Sequence, residues 1–193
     1  LYMNAFRNDE STFFRESSGG VKSRPLFATS DDPGWVEVGG VTVDGEPETK
    51  RAFVQPDDGN RGDRTVLALT LKRPVLPGAT ARIIVNFTTK LPRFVVRSRA
   101  GYAKDFFFFG QWFPKLGVLE KEGRWNCHQY HRDSEFYADF GDFTLELTLP
   151  QEYILASTGV LQSARVGGKR KTLLVRGERV HDFAWAAYPR FRI

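Results

Sequence analysis

The chain of 193 residues has one cysteine, Cys127, one methionine, Met3, and three histidines, His128, His131 and His181. A lone cysteine excludes an internal disulfide and any zinc knuckle built from cysteines. The histidines are followed by Gln129, Arg132 and Asp182, so no His-Glu-x-x-His zinc helix is encoded. Long apolar runs are also missing: nothing reaches the roughly 18 residues of a membrane-spanning helix. No basic-then-apolar leader opens the chain, which starts abruptly on the strand-like LYMNAF and reads as a piece of something longer. Charge of one sign is scarce as well. Lys+Arg number 28 against 23 Asp+Glu, a formal balance of +5 that falls short of the clustered excess of a dedicated nucleic-acid binder.

What the chain does have is punctuation and alternation. Its 18 glycines and 10 prolines leave only residues 1–18 and 124–140 long and uninterrupted, which excludes long helices over most of the sequence. In FTLELTL, Phe143, Leu145, Leu147 and Leu149 share one face while Thr144, Glu146 and Thr148 share the other, and Pro150 stops the run. Leu67, Leu69 and Leu71 make a second such face, and Ile83, Val85 and Phe87 a third. VLQSARV and KRKTLLV flank Gly167-Gly168, which predicts a tight hairpin, and residues 37–47 repeat that grammar with Gly39-Gly40 and Asp44-Gly45. Residues 15–35 read as a long loop or a short irregular helix. These patterns predict an all-β chain of curved, mostly antiparallel sheets, stacked as a sandwich or saddle in one domain spanning 1–193.

The densest feature is aromatic. Phe106 to Phe109, Trp112 and Phe113 stand within DFFFFGQWFP. On a strand, Phe106 and Phe108 face one side and Phe107 and Phe109 the other, so both faces are apolar. Such a strand is either a central core element or has one face covered by a partner. Burying one Phe is worth about 1.5–3 kcal/mol, which makes a wet row costly. Pro114 then ends any ladder, with Gly110 and Gly117 allowing bends.

The polar clusters read more blandly. In CHQYHRDSE, an extended backbone sends His128 and His131 to opposite faces and puts His131, Asp133 and Glu135 on one, a conceivable three-ligand metal set, although such clusters on a single strand are more often solvated polar edges. Cys127 lacks an adjacent activating base and reads as a small packing residue beside Trp125. No phosphate loop or serine elbow is present. Arg93, Arg97 and Arg99 form one basic group and Lys169, Arg170 and Lys171 another at the hairpin tip, but acidic residues interleave throughout, so no nucleic-acid partner is expected.

Residues 106–161, and above all the combination QWFPKLGV, WNCHQYH and EFYADFGDF, resemble the N-terminal β domain of bacterial aminopeptidase N-like zinc metallopeptidases, the gluzincin group that includes leukotriene hydrolase. LYMNAFRND at the start, RAFVQPDDGN at 51–60 and VHDFAWAAYPRF at 180–191 fall in that family's order. The resemblance implies a saddle-like β domain preceding a thermolysin-like catalytic domain. That absent domain would hold the zinc, a Glu ligand and the Gly-x-Met-Glu-Asn strand, so this chain carries no cofactor and no catalytic residue of its own. Met3 is followed by Asn4, so that strand is not hidden here. The expected partners are the catalytic domain of the same polypeptide and, in the parent, a peptide substrate. On this reading the fragment lacks its first strands and the catalytic part, and its setting is bacterial, membrane-associated or extracytoplasmic.

Family members place a Gln or Glu of this domain beside the substrate's amine, shortly upstream of an FP signature. Gln111 fits by residue type and Asp105 by ungapped counting, and both stay open. The Arg and Asp-Glu-Pro of better-known members are absent around GQWFPKLGV. The same resemblance places Trp112, Phe113 and Pro114 at the seam with the peptidase domain. The competing reading is a stand-alone carbohydrate- or protein-binding sandwich, with Trp35, Trp112, Trp125 or Trp185 as stacking plates.

Overall fold

The computed structural model describes residues 1–3, 8–17, 34–48, 50–93, 99–135 and 137–192. The regular secondary structure of the described residues is nearly all strand. A short helix α1 (Thr12–Ser17) precedes β1 (Trp35–Val43), β2 (Glu46–Pro47), β3 (Lys50–Phe53), β4 (Leu67–Thr70) and β5 (Ile83–Lys90). Then follow β6 (Ala100–Ala103), β7 (Phe106–Phe109), β8 (Val118–Leu119) and β9 (Trp125–Asn126). The last run is β10 (Gly141–Pro150), β11 (Ile154–Ser157), β12 (Val160–Gly167), β13 (Arg170–Val180) and β14 (Trp185–Tyr188). Every pairing between these strands is antiparallel. The all-β expectation holds.

The chain forms two compact units that it visits alternately: Leu1–Pro92 with Phe113–Ala138, and Arg93–Trp112 with Asp139–Ile193. The first holds the sheets β2-β1-β5, β3-β4 and β8-β9. Its interior is built on Tyr2, Met3, Phe13, Phe14, Val36 and Val66. Tyr2 bridges to both Val66 and Lys115, so the chain's first residues tie two distant segments together. Gly39-Gly40, expected as a turn, instead runs through β1 as an irregularity in register between Val38 and Val41. Only Asp44-Gly45 turns the chain, joining β1 to β2. The Leu67, Leu69, Leu71 face is buried to half-buried, and on β5 Val85 and Phe87 are half-buried between exposed Ile84, Asn86 and Thr88, with Ile83 exposed at the strand's start.

The second unit is a sandwich of two sheets, β10-β13-β12 and β11-β14-β7-β6. Leu147 of β10 and Trp185 and Ala187 of β14 are buried together, with Phe109, Leu145, Leu149 and Leu155 packed on them. The alternation of FTLELTL thus supplies one wall of this core, and β10 ends at Pro150. The β12–β13 hairpin forms as expected but one residue later. Gly167 pairs with Arg170, leaving Gly168 and Lys169 as the turn. Gly168 takes φ of 59°, the left-handed region that a two-residue hairpin turn demands and that glycine enters without steric cost.

Part of the 15–35 segment proves helical, through Ser17; residues 18–33 lie outside the described residues, as does Arg97 of the basic group.

Candidate functional site

The aromatic ribbon is β7, the strand between β14 and β6. Its two faces are treated differently. Phe109 stacks flat on Trp185, with centroids 3.7 Å apart and 10° between planes, and Trp112 meets both rings edge-on. Phe107 packs between Tyr102 and Tyr153. On the opposite face Phe106 finds Tyr188 and Phe191, while Phe108 stays exposed. One row is therefore core and the other is only partly covered by this unit.

The residues that sequence reasoning singled out lie around this strand. Asp105 sits in the turn before β7, exposed, with Arg190 Nη2 3.3 Å from its carboxylate. Gln111 follows β7, half-buried, at φ of 51°. Strand β7 and Gly110 separate them in sequence. Trp112 is fixed by its indole N–H, which donates to Phe183 O at 3.0 Å. Trp112 ends one stretch of the second unit, and Phe113 and Pro114, both half-buried, begin the next stretch of the first.

Of the four tryptophans proposed as stacking plates, Trp185 is buried, which corrects its assignment as a sugar platform. Trp35 and Trp112 are half-buried, and Trp125 alone is widely exposed, beside its cross-strand partner Leu119.

A second constellation, in the first unit, was not legible as a site. Residues 127–135 are irregular rather than a strand, so His131, Asp133 and Glu135 do not share a strand face. The segment instead wraps onto the turn 55–63. Gln129, almost fully buried, accepts from Asp57 N at 3.0 Å, and its amide donates to Asp58 Oδ1 at 2.6 Å. Its own N–H donates to Asp57 Oδ2 at 2.6 Å. Asp58 also accepts from Thr12 Oγ1 at 2.6 Å and Asn60 N at 2.8 Å. Burial acts against its charge, yet these donors and nearby His131 hold its carboxyl below the usual range. Asp63, fully buried, accepts from Thr12 N at 2.8 Å and so caps the first turn of α1 from 51 residues away.

His131 lies between two carboxylates. Its Nδ1 is 2.8 Å from Glu16 Oε1 and its Nε2 is 3.3 Å from Asp57 Oδ2. Glu16 Oε2 accepts the Arg132 N–H at 2.8 Å, and His128 Nδ1 is 2.9 Å from Asp57 Oδ1. Partial burial disfavours the imidazolium, but the bonds to Glu16 and Asp57 outweigh it and raise the His131 pKa above its ordinary 6.5. An open cleft of about 950 Å³ adjoins this ring, lined by Thr12, Arg15, Glu16, Asp58, Asn60 and Arg132 among others.

Cys127 is half-buried, and burial pushes its thiol up, the opposite of an activated nucleophile. Tyr2 accepts from His128 N at 3.0 Å, and burial drives its hydroxyl to about 12. Among the described residues no group of three or more His, Cys, Asp or Glu side chains is arranged to hold a metal ion. The only sequence signal for the second constellation was PDDGN, a cluster of turn formers whose carboxylates bond nearby backbone amides.

No protein-family model matches the chain, and no curated protein matches it in sequence. Among solved structures the chain is similar to a two-domain M1 zinc metallopeptidase crystallised with L-arginine bound, at 17% identity and a TM-score of 0.45. The match covers 80% of this chain and 34% of that one, so the chain spans about a third of that peptidase's length.

Proposed function

We propose that the chain, taken as one β module, is the non-catalytic N-terminal part of a zinc aminopeptidase. It packs against a catalytic domain of the same polypeptide and helps shape the site for the substrate's free amine. The support is the ordered set of motifs at 51–60, 106–161 and 180–191, together with how their polar residues are used. The observation that carries the non-catalytic reading is the network of Gln129, Asp57 and Asp58, in which motif residues 71 and 72 positions apart satisfy one another. Groups spent on each other build a scaffold; they are not aimed at a reacting bond.

In this reading Gln111 is the better candidate for the amine. It matches the family's residue type and holds a left-handed backbone that a side chain adopts at a cost, while Asp105 faces the Arg190 guanidinium at an exposed turn. Trp112, Phe113 and Pro114 would form the seam with the catalytic domain. Zinc would be held by that domain and would supply Lewis-acid chemistry there.

The test has two arms. The purified chain is expected to release no product from an L-aminoacyl reporter and to take up no stoichiometric zinc. In the longer polypeptide carrying a catalytic domain, Gln111→Ala is expected to raise KM more than it lowers kcat. Turnover by the isolated chain would end this reading.

A further inference from the structure

The His131 ring lies between two elements of the first unit, whatever the role of the chain in a peptidase. Both ring nitrogens face carboxylate oxygens, Nδ1 towards Glu16 on α1 and Nε2 towards Asp57 on the 55–63 turn. A carboxylate only accepts, so both contacts are hydrogen bonds only when both nitrogens carry protons. The neutral ring leaves one lone pair pointing at a negative oxygen. The geometry therefore selects the imidazolium.

Helix α1 is held at its two ends by different chemistry. Its first turn is fixed by Thr12, whose N–H and hydroxyl donate to Asp63 and Asp58. Its last turn is fixed through Glu16, whose carboxylate faces the His131 ring and accepts the Arg132 N–H. The first anchorage needs no proton on histidine; in the second, the ring links Glu16 to Asp57 only while both of its nitrogens carry protons. Among the described residues the charged and titratable groups around the ring are Glu16 and Arg15 from α1, Asp57 and Asp58 from the turn, His128, Tyr130, Arg132, Asp133, Glu135 and Tyr137 from its own stretch of chain, and Tyr2 from the first residues. Removing the proton leaves Glu16, Asp57 and Asp58 around a ring without charge.

We propose that His131 is a proton-operated clasp, holding the last turn of α1 against the Asp57–Asp58 turn when doubly protonated and releasing it, with the adjoining cleft opening, when it becomes neutral. The raised pKa of this histidine places that release above pH 6.5.

The experiment uses the 193-residue chain. Histidine ring resonances are followed by NMR from about pH 5 to pH 9, alongside the thermal midpoint and the amide-exchange protection of residues 13–16. His131 is expected to titrate above 6.5, with midpoint and protection declining over the same interval. Glu16→Gln, which keeps an acceptor but removes the charge, is expected to move the His131 titration downward. His131→Gln is expected to flatten the pH dependence, and His128→Gln to leave it in place. Titration at or below 6.5, an unmoved value in Glu16→Gln, or protection of 13–16 that ignores the titration overturns the clasp. Should His131→Gln fail to fold, the wild-type and Glu16→Gln titrations still decide.

Discussion

The ring of Phe109 lies flat on that of Trp185, 3.7 Å between centroids, on adjacent strands whose residues pair directly in register. This contact joins the phenylalanine ribbon to the core of the second unit, since Trp185 is buried with Leu147 and Ala187. It also explains why the ribbon is not equivalent on its two sides.

Phe109→Ala is expected to cost about 2–3 kcal/mol, somewhat below the range for a fully enclosed Phe because Phe109 is half-buried. Phe108→Ala, on the exposed side, is expected to cost less than about 1 kcal/mol in the chain alone. Denaturant titrations of the two variants check this, with Trp185 emission shifting to the red in the first only. Equal losses would mean that the two faces are buried alike.

Gly117 faces Cys127 so closely that a Cβ at 117 meets the Cys127 sulfur. Gly117→Ala is therefore expected to destabilise by about 1–3 kcal/mol through overpacking. Combining it with Cys127→Ala is expected to restore part of that loss, a positive coupling readable from the midpoints of a double-mutant cycle. Additive losses would remove the steric explanation.

Gln129→Ala strips a buried acceptor from Asp57 N and a buried donor from Asp58. The expected cost is about 2–4 kcal/mol, because both partners stay in place unsatisfied. Gln129→Glu keeps the acceptor but sets a carboxylate against Asp58, so its deficit is expected to shrink on acidification as the pair is protonated. A deficit independent of pH would count against this placement.

Stability is also expected to peak in mildly acid to neutral solution. Glu16 and Asp58 have folded pKa values below their ordinary 4.5 and 3.8. For Glu16, burial opposes the shift and the Arg132 N–H and His131 produce it. Their contributions are complete above those ordinary values and disappear as pH falls through the lowered folded ones. His131 is the opposite case: its contribution is complete below 6.5 and fades as pH rises through its raised folded pKa. Each tie is partly exposed and worth under about 1 kcal/mol, so the dome is shallow. Thermal midpoints measured from about pH 3 to pH 9 test its shape, and a midpoint rising steadily past pH 7 contradicts it.

Gln111→Gly relieves a left-handed backbone but also removes the contacts of a half-buried side chain, so the two effects offset and stability is expected to change by less than about 1 kcal/mol. If the substitution instead lowers the denaturation midpoint clearly, Gln111 is a structural residue at the bend and its proposed role with a substrate amine fails.

Local order was legible from residue spacing. The alternation of Phe143, Leu145, Leu147 and Leu149 fixed β10, and the Gly167-Gly168 pair located the β12–β13 hairpin to within one residue. These features follow from period-two geometry and from backbone angles that only some residues adopt, both properties of near neighbours. Tertiary structure alone decided that Phe109, not Phe108, enters the core, that Gly39-Gly40 continues a strand, and that CHQYH is an irregular segment whose groups are claimed by Asp57, Asp58 and Glu16. Those partners lie 71 to 115 residues apart in sequence, and which distant carboxylate meets which donor depends on how the whole chain closes rather than on any residue's neighbours.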